Sequence, residues 1–249
     1  MSKASIIINR TQELLRSLWY KGEEVCLLCG GQDGPICPTC IKEYFHPELA
    51  RCQACGKLIA RESTYCRDCL EHRGPQALTR VTAWGHYAGG WRDFIHRIKY
   101  QAQPRLVQKI AHLLAEWAVT QLPPPDSIVA VPMHPSRLAE RGFNQAEMIS
   151  SVLRWELGIP LLNGLERVLP TRSQAELSRQ ERLHNLTGAF KVRDQKNFSG
   201  HIIWLVDDVT TTGATLEACA QALRAVEVGE IYGLCLAAGI EKNLVSAGD

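Results

Sequence analysis

Several features are scarce or absent in this chain, and each absence removes a class of function. No run of about 18 apolar residues occurs, so nothing reads as a membrane-spanning helix. Neither G-x4-G-K-[ST] nor G-x-G-x-x-G is present, which excludes a Walker-type nucleotide site and a dinucleotide-binding turn. The formal net charge is only +2 over 249 residues, too little for a protein that holds a polyanion by overall charge. Any nucleic-acid contact has to come from a local patch. Beyond Leu78 cysteine nearly vanishes: only Cys219 and Cys235 remain, in a helical and a strand-like stretch, where they read as plain buried residues.

The 45% hydrophobic content is that of a globular protein, and the length fits one large domain or a medium one with a small one. Near the start, Ile6-Ile7-Ile8 is broken at once by Asn9 and Arg10, so the apolar core of a signal peptide is missing. Ile7, Leu14, Leu15, Leu18 and Trp19 fall roughly on one helical face, so residues 1–25 read as an amphipathic helix docking on the protein's own core. With no export signal expected, the ten cysteines belong in a reducing cytosol, where thiols hold metal rather than form disulfides.

Eight of those cysteines form four C-x2-C pairs: Cys26 with Cys29, Cys37 with Cys40, Cys52 with Cys55, and Cys66 with Cys69. Gly30 and Gly56 follow the first and third pairs, where a knuckle that turns two sulfurs toward one ion asks for positive φ. Four pairs supply ligands for two closed tetrahedral zinc sites. Sequential pairing is the simplest, and an interleaved arrangement uses the same spacings. A closed site leaves no position to activate water, so the role is structural, and the segment folds with its metal. A redox role does not explain four copies, while iron is a second metal that thiolates accept. The polar stretch Glu71-His72-Arg73-Gly74-Pro75 then separates a zinc-binding double ribbon at 26–72 from a larger domain at 78–249.

In that larger domain strand-like and helical stretches alternate. Strands are expected at 78–87, 127–132, 201–206 and 231–238, with a short one at 167–169; helices are expected at 91–100, 106–121, 144–157, 176–186 and 215–225. Such alternation implies βαβ units and a mostly parallel sheet, with ligands beyond the carboxyl ends of the strands.

The strand ending at Val206 runs into Asp207-Asp208-Val209-Thr210-Thr211-Thr212-Gly213-Ala214-Thr215 and then a helix. Small residues and glycine let backbone N–H groups approach an anion, hydroxyls donate further bonds, and a helix N-terminus adds partial positive charge. Two carboxylates beside an anion repel it unless they face donors, and vicinal ribose hydroxyls are suitable donors. Asp208 or Thr212 as a plain helix cap needs one residue, not the whole string. The loop asks for a sugar phosphate, with both carboxylates expected in an exposed loop where they contribute little to packing.

This string resembles the PRPP-binding motif of type I phosphoribosyltransferases, PRPP being phosphoribosyl pyrophosphate. The resemblance implies that Asp207 and Asp208 hold the ribose hydroxyls and that Thr210 to Thr215 hold the 5′-phosphate. Val131-Pro132-Met133-His134-Pro135, Arg137-x3-Arg141-Gly142-Phe143-Asn144-Gln145, and Gln174-x7-Arg182-x2-Asn185-x2-Gly188-Ala189-Phe190 go further. With the cysteine array they resemble the ComF family of competence proteins, also called GntX-like, over essentially the whole chain. That family implies an α/β fold, a Rossmann-like parallel sheet of the type I phosphoribosyltransferase class, behind an N-terminal double zinc ribbon. It implies a role in natural transformation, helping internalised single-stranded DNA reach the cytoplasm or recombination, from the cytoplasm or peripherally at the inner membrane. The implied partners are PRPP, single-stranded DNA and competence or recombination proteins; the implied cofactors are two structural Zn²⁺ and an Mg²⁺ that arrives on the pyrophosphate. No reaction is implied, and an active phosphoribosyltransferase with an unidentified base or amine acceptor is the alternative.

On the same basis Pro132, Met133 and His134 form a backbone loop for pyrophosphate if their strand neighbours that of Asp207. Arg137 and Arg141, four apart, present guanidinium forks toward it or line a solvated helix face. Gln174, Arg179 and Arg182 fall on a hood that closes over ligand. Lys99, within Phe94-Ile95-His96-Arg97-Ile98-Lys99-Tyr100, matches a family motif without an assigned contact. Trp91, Arg92, Phe94, Arg97, Lys99, Tyr100 and Arg105 interleave aromatics and cations as a single-stranded DNA groove would. The favoured competing reading buries Trp91, Phe94 and Ile98 in the core and lets the cations reach solvent.

Overall fold

The structure, a computed structural model, describes residues 25–100, 104–170, 186, 188–193, 198–241 and 244. The amphipathic helix expected before Val25, nearly all of the helix expected at 176–186, and the hood residues Gln174, Arg179 and Arg182 lie outside the described residues. The chain divides into two compact units, one up to Glu43 and one from Tyr44 onward, a division that falls between the second and third cysteine pairs.

In the second unit β1 (Ala50–Arg51) and β2 (Leu58–Ile59) form an antiparallel pair. A helical turn at Arg67–Leu70 follows. Then come β3 (Arg80–His86), α1 (Gly89–Tyr100), α2 (Pro104–Gln121), β4 (Ser127–Ala130), α3 (Pro135–Arg141) and α4 (Gln145–Leu157). The antiparallel hairpin of β5 (Leu165–Arg167) and β6 (Phe190–Val192) precedes β7 (Ile202–Thr210), α5 (Ala214–Arg224) and β8 (Glu230–Ala238). The central sheet is wholly parallel in the order β3-β8-β7-β4. This is the α/β parallel architecture expected from the alternation of elements.

The sheet is buried on both faces, which is why its strands read as continuous apolar runs. On one face Val81, Ala83, Val129, Ile203 and Leu205 pack with Leu216, Cys219, Ala220 and Leu223 of α5. Cys219 and Cys235 are fully buried, as expected. Trp91 and Phe94 of α1 are also fully buried and stack at 5.4 Å, with Trp91 Nε1 donating to the Leu236 carbonyl at 3.2 Å. Their rings belong to the core and offer no face to a base. The hairpin departs from expectation: β5 begins two residues early, and β6 was not foreseen. Strands of three residues are too short to show alternation.

Ladder register creates the ledge on which the site sits. Ala130 pairs with Val206, and the Val131 amide donates to the Val206 carbonyl at 2.9 Å. The next residue, Pro132, has no N–H to offer, so the β4 ladder stops there. On the other side β8 pairs onward to Thr210 opposite Ala238. Asp207 and Asp208 therefore lie on a strand end held by β8, not in the exposed loop the sequence suggested.

Arg51 fastens the chain before β1 to the end of β3. Its guanidinium donates to the carbonyls of Phe45 at 2.6 Å, Trp84 at 2.7 Å, Leu49 at 2.9 Å, and His46 and Ala83 at 3.3 Å. A lysine ammonium has neither the span nor the planar fork for this. Arg51→Met is expected to lower the unfolding free energy by about 3 kcal/mol or more, with Arg51→Lys recovering little, as read from urea unfolding. A loss below about 1 kcal/mol would mean that water satisfies those carbonyls equally well.

Candidate functional site

The four pairs of cysteines assemble sequentially. Cys26, Cys29, Cys37 and Cys40 bring their sulfurs together in the first unit, and Cys52, Cys55, Cys66 and Cys69 in the second, each set within 4.8 Å. Sγ atoms of Cys29 and Cys37, and of Cys55 and Cys66, stand 3.6 Å apart. That is far beyond a disulfide bond of about 2.05 Å. It is close to the edge, about 3.8 Å, of a sulfur tetrahedron built on zinc–sulfur bonds of about 2.3 Å. Gly30 and Gly56 take φ of +79° and +74°, the conformation expected of knuckle glycines. Cys37 and Cys66 amides donate to the sulfurs of Cys26 and Cys52 at 3.4 and 3.3 Å. Burial pushes the Cys26 thiol up, but backbone donors from Cys29, Cys37 and Leu28 outweigh it and bring it down to about 6. Both groups fit a tetrahedral metal with every position filled by protein, which serves structure rather than catalysis.

A second constellation lies at the carboxyl ends of β7 and β4. Asp208 Oδ2 is 3.0 Å from Lys99 Nζ, with both side chains largely buried. The Asp208 amide donates to Asp207 Oδ1 at 2.8 Å. Burial first, and then the neighbouring Asp208 charge, push the Asp207 carboxyl up to about 7, against the pull of the Asp208 amide, Lys99 and Arg167. Asp207 therefore resists ionisation until a further donor reaches it.

Beyond the carboxylates the chain turns through Thr211 and Thr212 to Gly213, the N-cap of α5, at φ +79°. A Cβ at Gly213 would stand 3.1 Å from Pro75 Cγ, so conformation and space both demand glycine there. Thr212 Oγ1 accepts from the Ala214 amide at 3.4 Å. Asp207 and the Val209–Leu216 stretch line a small cleft. Thr210 is 4% exposed, and its Oγ1 has no hydrogen-bond partner among the described residues. A buried hydroxyl with no partner carries a desolvation cost that a ligand oxygen would remove.

The pyrophosphate candidates are distributed unevenly. Pro132 and Met133 line a larger cleft together with Arg167. His134 caps α3: its Nδ1 lies 2.8 Å from Ser136 Oγ and accepts from the Ser136 amide at 3.3 Å. Arg141 donates to Gln145 Oε1 at 3.0 Å and lies over the Tyr100 ring at 5.1 Å, while Gln145 Nε2 donates to the Lys99 carbonyl at 3.3 Å. Gln145 thus brings Arg141 and Lys99 together. Asn144 caps α4 and donates to the Val131 carbonyl at 3.0 Å, fixing the start of the Pro132 loop. Burial and nearby Arg137 hold the Arg167 pKa below the ordinary guanidinium range, with Cys219 and Asp207 acting the other way.

Sequence reading placed Lys99 in a nucleic-acid groove without a contact at the ligand site, and passed over Arg167 as a site residue. A signal existed for Lys99: it falls four residues after Ile95 and eight after Trp91, on the face of α1 that enters the core. A lysine at a core position needs a carboxylate partner. No comparable signal marked Arg167, because its strand is three residues long.

Comparison with known proteins adds the following. No family model matches the chain. Competence protein F of Haemophilus influenzae is 33% identical over 225 residues, covering 85% of this chain and 96% of its own length. DNA utilization protein YhgH of Salmonella typhi is 30% identical over 207 residues, covering 81% and 89%. Competence protein ComFC of Streptococcus pneumoniae is 27% identical over 214 residues, covering 80% and 92%. Among solved structures, glutamine PRPP amidotransferase from B. subtilis aligns at TM-score 0.39 and 16% identity over 57% of this chain. The chain spans 30% of that protein. Purine phosphoribosyltransferase from Pyrococcus horikoshii aligns at TM-score 0.33 and 20% identity, covering 53% of this chain and 72% of its own. At these scores the likeness carries no argument about the site.

Two outcomes are expected. In the unfolded chain Asp207 ionises near pH 4, whereas in the folded protein it keeps its proton up to about 7. The stability this proton provides is therefore full below about pH 4 and lost as pH rises through about 7, by at most about 1.4 kcal/mol per pH unit. Asp207→Asn should abolish that slope and exceed the wild type in urea midpoint at pH 8; parallel pH profiles would show that Asp207 ionises normally. Metal analysis should return about two zinc ions per chain, falling to about one in Cys66→Ser. A wild-type value of one would mean that one thiolate group is unused.

Proposed function

This chain belongs to the ComF family of competence proteins, and from that premise we propose that it binds PRPP with Mg²⁺ at the end of β7 and acts on incoming single-stranded DNA during natural transformation. The observation that carries the PRPP reading is the unpartnered, buried hydroxyl of Thr210, a residue that lines the cleft at the first turn of α5. The 5′-phosphate takes that hydroxyl, those of Thr211, Thr212 and Thr215, and the N–H groups at the helix start around Gly213 and Ala214, where it would replace Thr212 Oγ1 as the partner of the Ala214 amide. Asp207 and Asp208 accept from the ribose hydroxyls, which add donors to those that the Asp208 amide and Lys99 already supply. Val209 lies between these two sets of contacts. Lys99 offsets the negative charge that a phosphate would otherwise meet.

The pyrophosphate falls to the Pro132-Met133-His134 loop with Arg137 and Arg141, and an Mg²⁺ arriving with PRPP would screen its charge there. The hood residues Gln174, Arg179 and Arg182 keep their proposed part on the family pattern alone. The same cysteines that approximate two tetrahedra hold zinc. Single-stranded DNA, and competence or recombination proteins as partners, follow from the family's role. With Trp91 and Phe94 buried, base stacking falls to Tyr100, 61% exposed, with Arg92, Arg97 and Arg105 as cations close to it in sequence. Among the described residues no helix is long and apolar enough to cross a membrane, and the proposed place of action is the cytoplasm or the inner face of the membrane.

A second reading, an active phosphoribosyltransferase, is favoured by the cleft beside Pro132, Met133 and Arg167, which has room for an acceptor. There the acceptor nitrogen would bond to C1 of the ribose as the pyrophosphate leaves with its bonding electrons, and the proton the nitrogen sheds would pass to water.

Calorimetric titration with PRPP and Mg²⁺ tests the main reading. Binding is expected in the wild type, with a loss of at least about a hundredfold in Asp207→Asn/Asp208→Asn, since charged acceptors of two or more hydrogen bonds are lost. Asparagine is the substitution of choice because the carboxyls are partly buried rather than exposed. Unchanged affinity in the folded double variant would overturn the assignment. Acceptor-dependent pyrophosphate release would establish the second reading instead of binding alone.

A further inference from the structure

The second thiolate group and the anion loop are joined by a strap of four residues, Gly74 to Ala77. At its start Gly74 lies against Cys69 so closely that a Cβ there would collide with the cysteine sulfur. Next, Pro75 packs on Gly213, the N-cap of α5. At its end the amides of Gln76 and Ala77 both donate to Glu217 Oε2, at 2.8 and 2.9 Å. Glu217 sits in the first turn of α5 and is 8% exposed, and its other oxygen accepts from Gln221 Nε2 at 2.9 Å.

The same thiolate group also holds the far side of the site. Leu58 in β2 donates to the Gly239 carbonyl and accepts from the Glu241 amide, each at 2.9 Å, which extends the end of β8 into the ribbon. The Arg67 amide, next to Cys66, donates to Glu241 Oε1 at 2.8 Å. β8 in turn pairs with Asp207, Val209 and Thr210. Both flanks of the anion loop, the start of α5 and the end of β8, are thus referred to one group of four sulfurs. Unligated thiolates repel one another, so without metal that group has no reason to keep its shape.

A carboxylate in the first turn of an anion-binding helix would lower anion affinity if its charge stood free. In Glu217 the charge is consumed by two backbone donors from the strap. We propose that Glu217 is a positioning residue which transmits the metal state of the Cys52, Cys55, Cys66 and Cys69 group to the anion loop, so that ribose-phosphate affinity falls when that metal is lost. This rests on the sugar-phosphate reading of the loop, while the mechanical link can be tested without any ligand.

The experiment compares four full-length proteins: wild type, Glu217→Ala, Cys66→Ser and the double variant. Amide hydrogen exchange across Val209–Leu216 should accelerate about tenfold in each single variant and no further in the double, because both act through one strap. PRPP affinity by calorimetry should follow, weakening about tenfold in each single variant and about tenfold, not a hundredfold, in the double. Glu217→Gln, which keeps one carbonyl oxygen for the strap amides, should recover most of the affinity. Additive losses, or unchanged exchange in Cys66→Ser, would overturn the inference. Absence of PRPP binding in the wild type would sink the functional reading and leave the exchange comparison to decide the strap. Should Cys66→Ser not fold, graded removal of zinc from the wild type with a chelator provides the same exchange comparison, and slow exchange persisting after release of the second zinc would be equally contrary.

Discussion

The place where β4 lets go of β7 is the constraint on which the rest depends. Backbone pairing proceeds in step until Val206, and the next residue on the β4 side is a proline that cannot donate. β8 continues for four residues more, so the end of β7 is held rigidly from one side and open on the other. Two carboxylates, a lysine from α1 and the turn into α5 gather on that open ledge. A ligand site on a strand end is more precise than one on a loop, because the ladder fixes where each side chain begins. The position also agrees with the general rule that parallel α/β sheets bind ligands beyond their carboxyl ends.

This ledge is unfavourable for the protein without a ligand. Asp207 is burdened by burial and by Asp208, and the Thr210 hydroxyl is buried without a partner. The Lys99 ion pair relieves part of this, and Glu217 is kept from adding to it by its two backbone donors. Thr82 in β3 and Ser150 in α4 also bury a hydroxyl without a partner among the described residues, so it is the meeting of the Thr210 hydroxyl with two carboxylates and a helix start that marks the end of β7 as a site. The four-thiolate group from Cys52 to Cys69 contributes a support that the small ribbon cannot obtain from apolar burial, since its own cluster is little more than Cys52, Cys55, Ile59 and Cys66.

Much of this was legible in the sequence, for reasons that differ from part to part. The strands of the sheet show because a strand buried on both faces cannot hide its apolar run. The thiolate groups show because two ligands on one knuckle require C-x2-C, yet their sequential pairing was not decidable, since either pairing satisfies the same spacing. The end of β7 was misjudged: whether Asp207 continues a strand depends on β8, more than twenty residues later, and not on its own neighbours. Aromatics and cations interleave in α1 as they would in a nucleic-acid groove, and only the burial of Trp91 and Phe94 separates the two meanings. Glu217 was invisible as a tie, because its partners are backbone amides at Gln76 and Ala77, which no residue pattern advertises. Membership of the ComF family came from motifs spread along the chain, and the relatives bear it out at up to 33% identity.

A crystal structure of the protein with PRPP and Mg²⁺ tests the central claim most directly. The account predicts phosphate density against the amides from Thr211 to Ala214 with Thr210 Oγ1 in contact, and the ribose hydroxyls within about 3 Å of Asp207 and Asp208. PRPP bound elsewhere, for instance only in the cleft between Pro132 and Arg167, with the β7 ledge left empty, would contradict it.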